Sequence, residues 1–314
     1  MNLSNKASLD FHEWLQHNPL PGKHQRGNPK TIRNYASDLE RFARWFQQSR
    51  NLELAPETLP PDDIQDFISH LQVVQRAKPN TVLRYFASIR SYCLYLQKTD
   101  SRIQRDLSEG VRLPKRDPMT KRGLRRLERL AVKRVFNVSW KNTEAARLRL
   151  VRDRAIVITL MYVGLRVDKL VKLRLNDLNL GERSGSILVR QAKGNRDRLA
   201  GVPIEARREL IEWLQVREGL GCEHDYLFMQ IRKGYKPIGV RSIQQMVQEV
   251  GRRAGLEMKL SPHILRHTAL RIWRQKVNDG RIVAAQMGHS EATMRKYDAV
   301  QQDDVIDAAN IMRV

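Results

Sequence analysis

Residues 184–204, SGSILVRQAKGNRDRLAGVPI, interrupt a chain that is otherwise helical in its periodicity. SGSILVRQ (184–191) alternates apolar and polar positions, KGNRD (193–197) supplies a glycine and asparagine turn, and RLAGVPI (198–204) alternates again. Two short extended runs joined by Gly194 and Asn195 predict a β-hairpin. Working outward, RGLRRLERLAVKRVF (122–136) and EAARLRLVRDRAIVITLMYVGLR (144–166) lie before it. EARRELIEWLQVRE (205–218), VRSIQQMVQEVGRRAG (240–255) and LSPHILRHTALRIW (260–273) follow it, all with helical spacing. The second part of the chain therefore reads as mainly α, mixed α/β, with a small antiparallel sheet.

A separate helical block runs from about residue 28 to 110, with no strand signal. In NPKTIRNYASDLERFARWFQQ (28–48), Tyr35, Leu39, Phe42 and Phe46 recur at helical spacing, and Arg33, Asp38, Arg41 and Arg44 between them predict a basic outer face. PPDDIQDFISHLQVVQ (60–75) opens with Pro61, Asp62 and Asp63, which suit the positive end of a helix dipole. PNTVLRYFASIRSYCLYLQKT (79–99) puts Val82, Tyr85, Ile89, Cys93 and Leu96 on one side. Between the blocks, SEGVRLPKRDPMTKRGLRR (108–126) sets Pro114 and Pro118 among basic residues, and proline restricts its predecessor to extended geometry. This is a linker, and it places an all-α domain at 1–115 and a mixed α/β domain at 116–314.

The charge bounds the partner. The 314 residues carry 57 Lys and Arg against 34 Asp and Glu, a net charge of +23, with an ordinary 41% of hydrophobic residues. A folded protein with that excess is drawn to polyanions, nucleic acid first among them. The N-terminus lacks a basic segment followed by an apolar one, so no signal peptide is expected. The longest apolar run, AIVITLMYVGL (155–165), is too short for a bilayer and reads as a buried helix. Cys93 and Cys222 show neither disulfide nor zinc spacing. The expectation is a cytoplasmic, reduced protein with no membrane association.

Two segments carry chemistry. In SPHILRHT (261–268), Ser261 is a good N-cap and Pro262 suits the first helical position, so His263 and Arg266 fall in the first turns, where unpaired N–H groups favour an anion. An imidazole and a guanidinium there could clamp a phosphate; the plainer reading is a surface histidine and a salt-bridging arginine. His263 and His267 also stand at metal-ligand spacing, but position 264 is Ile, not Glu, and no acidic or cysteine cluster completes a zinc shell. In MYVGLRVDKLVKLRLNDL (161–178), Arg166 follows the most apolar segment directly, ahead of an amphipathic turn of Leu170, Leu173 and Leu175. A buried charge left without its partner costs about 3–5 kcal/mol, so Arg166 is either paired, with Asp168 or Asp177, or reserved for a substrate phosphate.

GLRVDKL (164–170), the hairpin lysine of QAKGNRDR (191–198), HILRH (263–267), MGHS (287–290) and then a lone late tyrosine, in that order, resemble the catalytic domain of the tyrosine recombinase family, the phage-integrase-like DNA strand-exchange enzymes. The helical first block is similar to that family's core-binding domain, so the likeness covers nearly the whole chain. The resemblance implies that Tyr297 is the nucleophile, forming a 3′-phosphotyrosyl bond and freeing a 5′-hydroxyl. Arg166 and Arg266 would hold the non-bridging oxygens. Lys193, chosen over Arg196 and Arg198, would protonate the departing 5′-oxygen; His263 would help take the tyrosine proton and His289 would hydrogen-bond the phosphate. No cofactor, metal or ATP is implied.

The resemblance further implies a C-shaped clamp on double-stranded DNA with inverted half-sites, and a homo-tetramer that exchanges strands through a Holliday junction. The tail, QQDDVIDAANIMRV (301–314), with Val305, Ile306, Ala309 and Ile311 as an apolar stripe, would dock on a neighbouring protomer. This sequence departs from the family in three places. Lys169 stands where an acidic residue is usual, with Asp168 one position earlier; His289 and Tyr297 are eight apart; and ALRIWRQ (269–275) brings Arg271 and Trp273 into unfamiliar company, Trp273 as a core residue. Two rivals stand beside this reading: a silent DNA-binding or architectural protein that keeps the fold for recognition only, and a nuclease or a type IB topoisomerase, the latter sharing this catalytic set but swivelling one strand. A binder has no need for a phenol at position 297.

Overall fold

The computed structural model describes residues 5–20, 26–56, 59, 61–115, 122–137, 143–190, 197–232 and 234–288. They fall in two compact units, Met1–Thr120 and Lys121–Val314. No described helix is long and apolar enough to cross a membrane.

The first unit is helical: α1 (Lys6–His17), α2 (Pro29–Arg50), α3 (Pro61–Val73) and α4 (Pro79–Thr99). Helix α2 starts where the Asn28 side chain accepts the Thr31 N–H at 2.9 Å and Pro29 fills the first turn; it stops at Asn51, whose φ of 56° is left-handed. Its buried stripe, Ile32, Ala36, Leu39, Phe42, Ala43 and Phe46, faces the stripe of α4, where Val82, Tyr85, Ile89, Cys93 and Leu96 are all buried. Burial pushes the Cys93 thiol up to about 12, so it behaves as a small apolar group.

Two features differ from the sequence reading. Helix α1 precedes the block read as helical; Asn5 caps it, accepting from the Ala7 N–H at 3.0 Å, and Phe11 packs edge-on against Tyr92 at 5.5 Å between ring centroids. Asp38 does not belong to the outer face of α2. It is buried where α4 crosses, and it accepts from the Arg84 guanidinium and from Ser88 Oγ at 2.8 Å. A carboxylate can sit there because two donors replace its water. Arg33, Arg41 and Arg44 do remain exposed.

The second unit contains α5 (Arg126–Arg134), α6 (Glu144–Tyr162), the single turn α7 (Val167–Leu170), strands β1 (Leu178–Leu180), β2 (Gly185–Val189) and β3 (Arg198–Gly201), then α8 (Ile204–Glu218), α9 (Val240–Arg253), α10 (Pro262–Lys276) and α11 (Gly280–Met287). Residues 155–163 of α6 and its cap are buried on every side, which is why that run shows no amphipathic period: it is the core helix, packed by α8 and α10. The sheet is antiparallel in the order β1-β2-β3, with Ile187 opposite Ala200 and Val189 opposite Arg198. Ile187, Val189 and Ala200 face the core and Leu199 faces out, the alternation that the sequence displays. Strand β1, in register Leu178 with Ile187, is three residues long and has no alternation to read. The Gly194 and Asn195 turn lies outside the described residues.

Candidate functional site

The site is built where α6 ends. Gly164 takes φ +76°, and a Cβ there would lie 2.8 Å from Met287 Sδ and 2.9 Å from Ala269 Cβ. Only glycine combines that turn with that approach of α10 and α11. The turn delivers Arg166 to the N-cap position of α7, half-buried. Neither carboxylate suggested by the sequence serves it. Asp168 is exposed, and Asp177 is buried and committed elsewhere, accepting from the Arg174 N–H at 2.9 Å and from Arg190 Nε at 2.7 Å. The Arg166 carbonyl accepts the Lys169 and Leu170 N–H groups at 2.9 and 3.0 Å, but among the described residues its guanidinium has no hydrogen-bond or ion-pair partner.

Helix α10 begins as the sequence predicts, with Ser261 as N-cap, its side chain 3.4 Å from the Ile264 N–H, and Pro262 in the first turn. His263 is exposed. Its Nε2 stands 2.9 Å from Nε2 of the buried His267, with the rings edge to face, so one ring donates to the other and the two share a single proton along that contact. Arg266 is only 6% exposed. Its Nη1 donates to the Gly164 carbonyl and its Nη2 to the Met287 carbonyl, both at 2.5 Å. The guanidinium thus ties the turn before Arg166 to the end of α11.

Helix α11 starts at Asp279, whose side chain accepts from the Arg281 N–H at 2.7 Å, and ends at Gly288 with φ +58°. Two residues that the sequence did not single out hold its far end. Gln286 is buried; its Nε2 donates to the Val163 and Gly201 carbonyls at 3.0 Å each and its Oε1 accepts from the Gly201 N–H at 2.8 Å, joining α6, β3 and α11. Arg198, weighed against Lys193 and passed over, donates from Nη1 to the Gln286 carbonyl at 2.7 Å and the Ala285 carbonyl at 3.3 Å. Burial, and then the charge of Arg166, lower the Arg198 pKa to about 10. The spacing of Gln286 and Arg198 from the recognised motifs gave no warning of either; each is legible only once α11 is seen to lie on β3.

The structure thus brings Arg166, Arg198 and Arg266 to the neighbourhood of Gly164 and the end of α11. Lys193, His289, Tyr297 and the tail 301–314 lie outside the described residues; His289 directly follows Gly288 in sequence. Beside His263 opens a cavity of about 420 Å³, lined by Val167, Gln244, Gln248, Lys259 and Ser261 among others. Trp273 is half-buried, donating from Nε1 to the Tyr162 carbonyl at 2.8 Å and packed on a small cluster that includes Ala269, Val283 and Met287. Chemically, Arg266 and Arg198 are committed to backbone carbonyls, and the Arg166 guanidinium beside them is left with no described carboxylate, an arrangement with the charge to receive an anion.

An α-helical domain followed by a mainly α domain with a three-stranded antiparallel sheet is the architecture of a tyrosine recombinase. Residues 125–303 match the phage integrase family, and residues 22–102 match the phage integrase N-terminal SAM-like domain. The chain belongs to the phage integrase family. Among curated relatives, a tyrosine recombinase of Agathobacter rectalis is 26% identical over 281 residues, covering 85% of this chain and 84% of that one. Tyrosine recombinase XerC of Thermodesulfovibrio yellowstonii is 29% identical over 293 residues, 91% of each chain. Among solved structures, XerH site-specific recombinase bound to difH substrate in a pre-cleavage complex is similar with a TM-score of 0.70 at 19% identity, covering 97% of this chain and 94% of that one; the fold is shared.

Proposed function

We propose that this tyrosine recombinase cuts and rejoins double-stranded DNA at a specific site by transesterification at phosphorus, with Tyr297 as nucleophile. The phenolic oxygen forms a bond to the scissile phosphorus as the bond to the 5′-oxygen breaks, leaving a 3′-phosphotyrosyl ester and a 5′-hydroxyl. His263 takes the phenolic proton, Lys193 supplies one to the 5′-oxygen, and His289 hydrogen-bonds the phosphate. Arg166 and Arg266 hold the non-bridging oxygens as negative charge builds on them. The ester conserves the energy of the broken bond, so a 5′-hydroxyl from a second strand reverses the step without ATP. The guanidinium groups neutralise the phosphorane, so the step runs without a metal. Four protomers on two duplexes with inverted half-sites would exchange strands through a Holliday junction, acting in the cytoplasm on nucleoid DNA. The domain from 116 onward carries the chemistry and the domain 1–115 closes on the duplex.

The observation that carries this reading is the Arg166 guanidinium, which no described carboxylate answers, gathered with Arg266 and Arg198, both held on backbone carbonyls, around Gly164 and the end of α11. Such a cluster is stable in company with a bound anion. The net charge of +23 supplies the sequence-independent part of DNA affinity, which falls steeply with salt. The test is a duplex carrying the cognate site, mapped on DNA flanking the gene and nicked beside the scissile phosphate so that cleavage cannot be reversed. The expected result is a covalent protein–DNA adduct formed by the natural chain and lost in Tyr297→Phe and Arg166→Ala. A natural chain that binds the site tightly and forms no adduct would make it a silent binder.

A further inference from the structure

Arg198 opens β3, opposite Val189, and so stands at the root of the β2–β3 hairpin. Its guanidinium crosses to α11 and takes the Gln286 and Ala285 carbonyls. The Met287 carbonyl goes to Arg266. The last three carbonyls of α11, where the helix dipole is negative, are thus shared by two arginines from different elements; the Gly288 N–H also donates to the Ala285 carbonyl at 3.1 Å, so among the described residues the Gln286 carbonyl, at 2.7 Å, is the one that Arg198 serves alone. Gly288 completes the contact: a Cβ on it would lie 2.7 Å from Arg198 Nε, so the chain leaves α11 pressed against this guanidinium. Arg198 is held in place at an electrostatic cost, since burial and Arg166 bring its pKa down to about 10 and no described carboxylate offsets them. A lysine or arginine kept only to cap a helix would gain nothing by facing a second guanidinium.

We propose that Arg198 is a positioning residue for DNA cleavage, pinning the end of α11 to the root of the hairpin so that Arg166 and Arg266 meet the scissile phosphate at a fixed separation. This rests on the recombinase reading above. Arg198 itself stays on the α11 carbonyls and acts through its neighbours. When Arg198 is lost, Gln286 still ties α11 to Gly201, but the last turn of α11 is no longer held to the start of β3, which blurs the phosphate site while the bulk of the DNA contacts persists.

The experiment uses the full chain and the nicked duplex, comparing the natural protein, Arg166→Ala, Arg198→Met and Arg198→Lys. Adduct formation is followed in a single turnover at saturating DNA, affinity by titration, and folding by melting temperature. Misplacement by about 1 Å costs on the order of 100-fold in rate, so Arg198→Met should cleave roughly 10- to 100-fold more slowly. Its DNA affinity should stay within about 3-fold, because a group that touches no DNA contributes little uniform binding. Arg198→Lys, which keeps a cation able to reach one carbonyl, should recover most of the rate and remain about 5-fold slow. Cleavage by Arg198→Met at the natural rate, or a loss that lies wholly in affinity, overturns the inference. If Arg198→Met is insoluble, Arg198→Lys decides alone, and a natural rate in that variant overturns it. An adduct from the natural protein that Arg166→Ala abolishes shows the recombinase reading intact whatever the Arg198 variants do; no adduct from the natural protein removes both.

Discussion

Gly164→Ala should destabilise the second unit and damage the site together. At φ +76° an L residue is strained by about 1–2 kcal/mol. The new Cβ would also stand 2.8 Å from Met287 Sδ and 2.9 Å from Ala269 Cβ. The methionine end can swing aside, but Ala269 is fixed on α10, and overpacking of this kind costs about 1–3 kcal/mol. The expected loss is therefore roughly 2–5 kcal/mol. Gly255 provides the control: it has φ +66° and nothing within 4 Å of its missing Cβ, so Gly255→Ala bears the backbone cost alone, about 1–2 kcal/mol. Urea unfolding followed by circular dichroism gives both values on the full chain. Because the Gly164 carbonyl holds Arg266 and the residue lies two before Arg166, the cleavage rate should fall in Gly164→Ala and stay natural in Gly255→Ala. Equal destabilisation by the two substitutions would refute the reasoning, since it would mean that α6, α10 and α11 do not converge on Gly164 as described.

In the first unit, Arg84→Met should cost about 3 kcal/mol by leaving Asp38 buried with Ser88 as its remaining partner, whereas Asp38→Asn, which leaves a half-exposed arginine, should cost clearly less; thermal melts of the two variants check the order. Glu128 is held below its ordinary value of 4.5 mainly by the Arg122 guanidinium, with the Arg125 N–H adding to it. A carboxylate with a lowered folded pKa stabilises above its unfolded pKa and loses that contribution as pH falls through the folded value. The stability difference between the natural chain and Glu128→Gln should therefore be constant from pH 7 to about 4.5 and shrink below that, as urea titrations at stepped pH would show. Deleting residues 303–314 should abolish assembly of four protomers on DNA while single-protomer binding survives; unchanged synapsis in a gel-shift series would count against the tail as the link between protomers.

How much of this was legible in sequence follows from what each residue needs around it. Helix α2 could be read because its buried apolar residues recur along one face and its cap, Asn28 with Pro29, is local; the β2–β3 hairpin could be read because Ile187, Val189 and Ala200 alternate with outward residues. Helix α1 was missed although Phe11, Trp14 and Leu15 keep helical spacing, because its apolar face is short and its partners, Tyr92 and Tyr95, lie some eighty residues away. Asp38 looked like a surface residue because Arg84 and Ser88 arrive from another helix. Arg166, His263 and Arg266 stood out through motif order. Gln286 and Arg198 did not, since a glutamine and a hairpin arginine acquire meaning only from the carbonyls of Val163, Gly201, Ala285 and Gln286 that folding brings to them.

The central claim is that one phenol of this chain opens a DNA strand with cations alone to help it. The natural protein should be reacted with the nicked duplex in the presence of a chelator and without ATP, the adduct digested with protease and nuclease, and the nucleotide-bearing peptide sequenced by mass spectrometry. The account predicts a single modified peptide with the phosphodiester on Tyr297. A phosphodiester on any other residue, or an adduct that appears only when a divalent cation is restored, would contradict it.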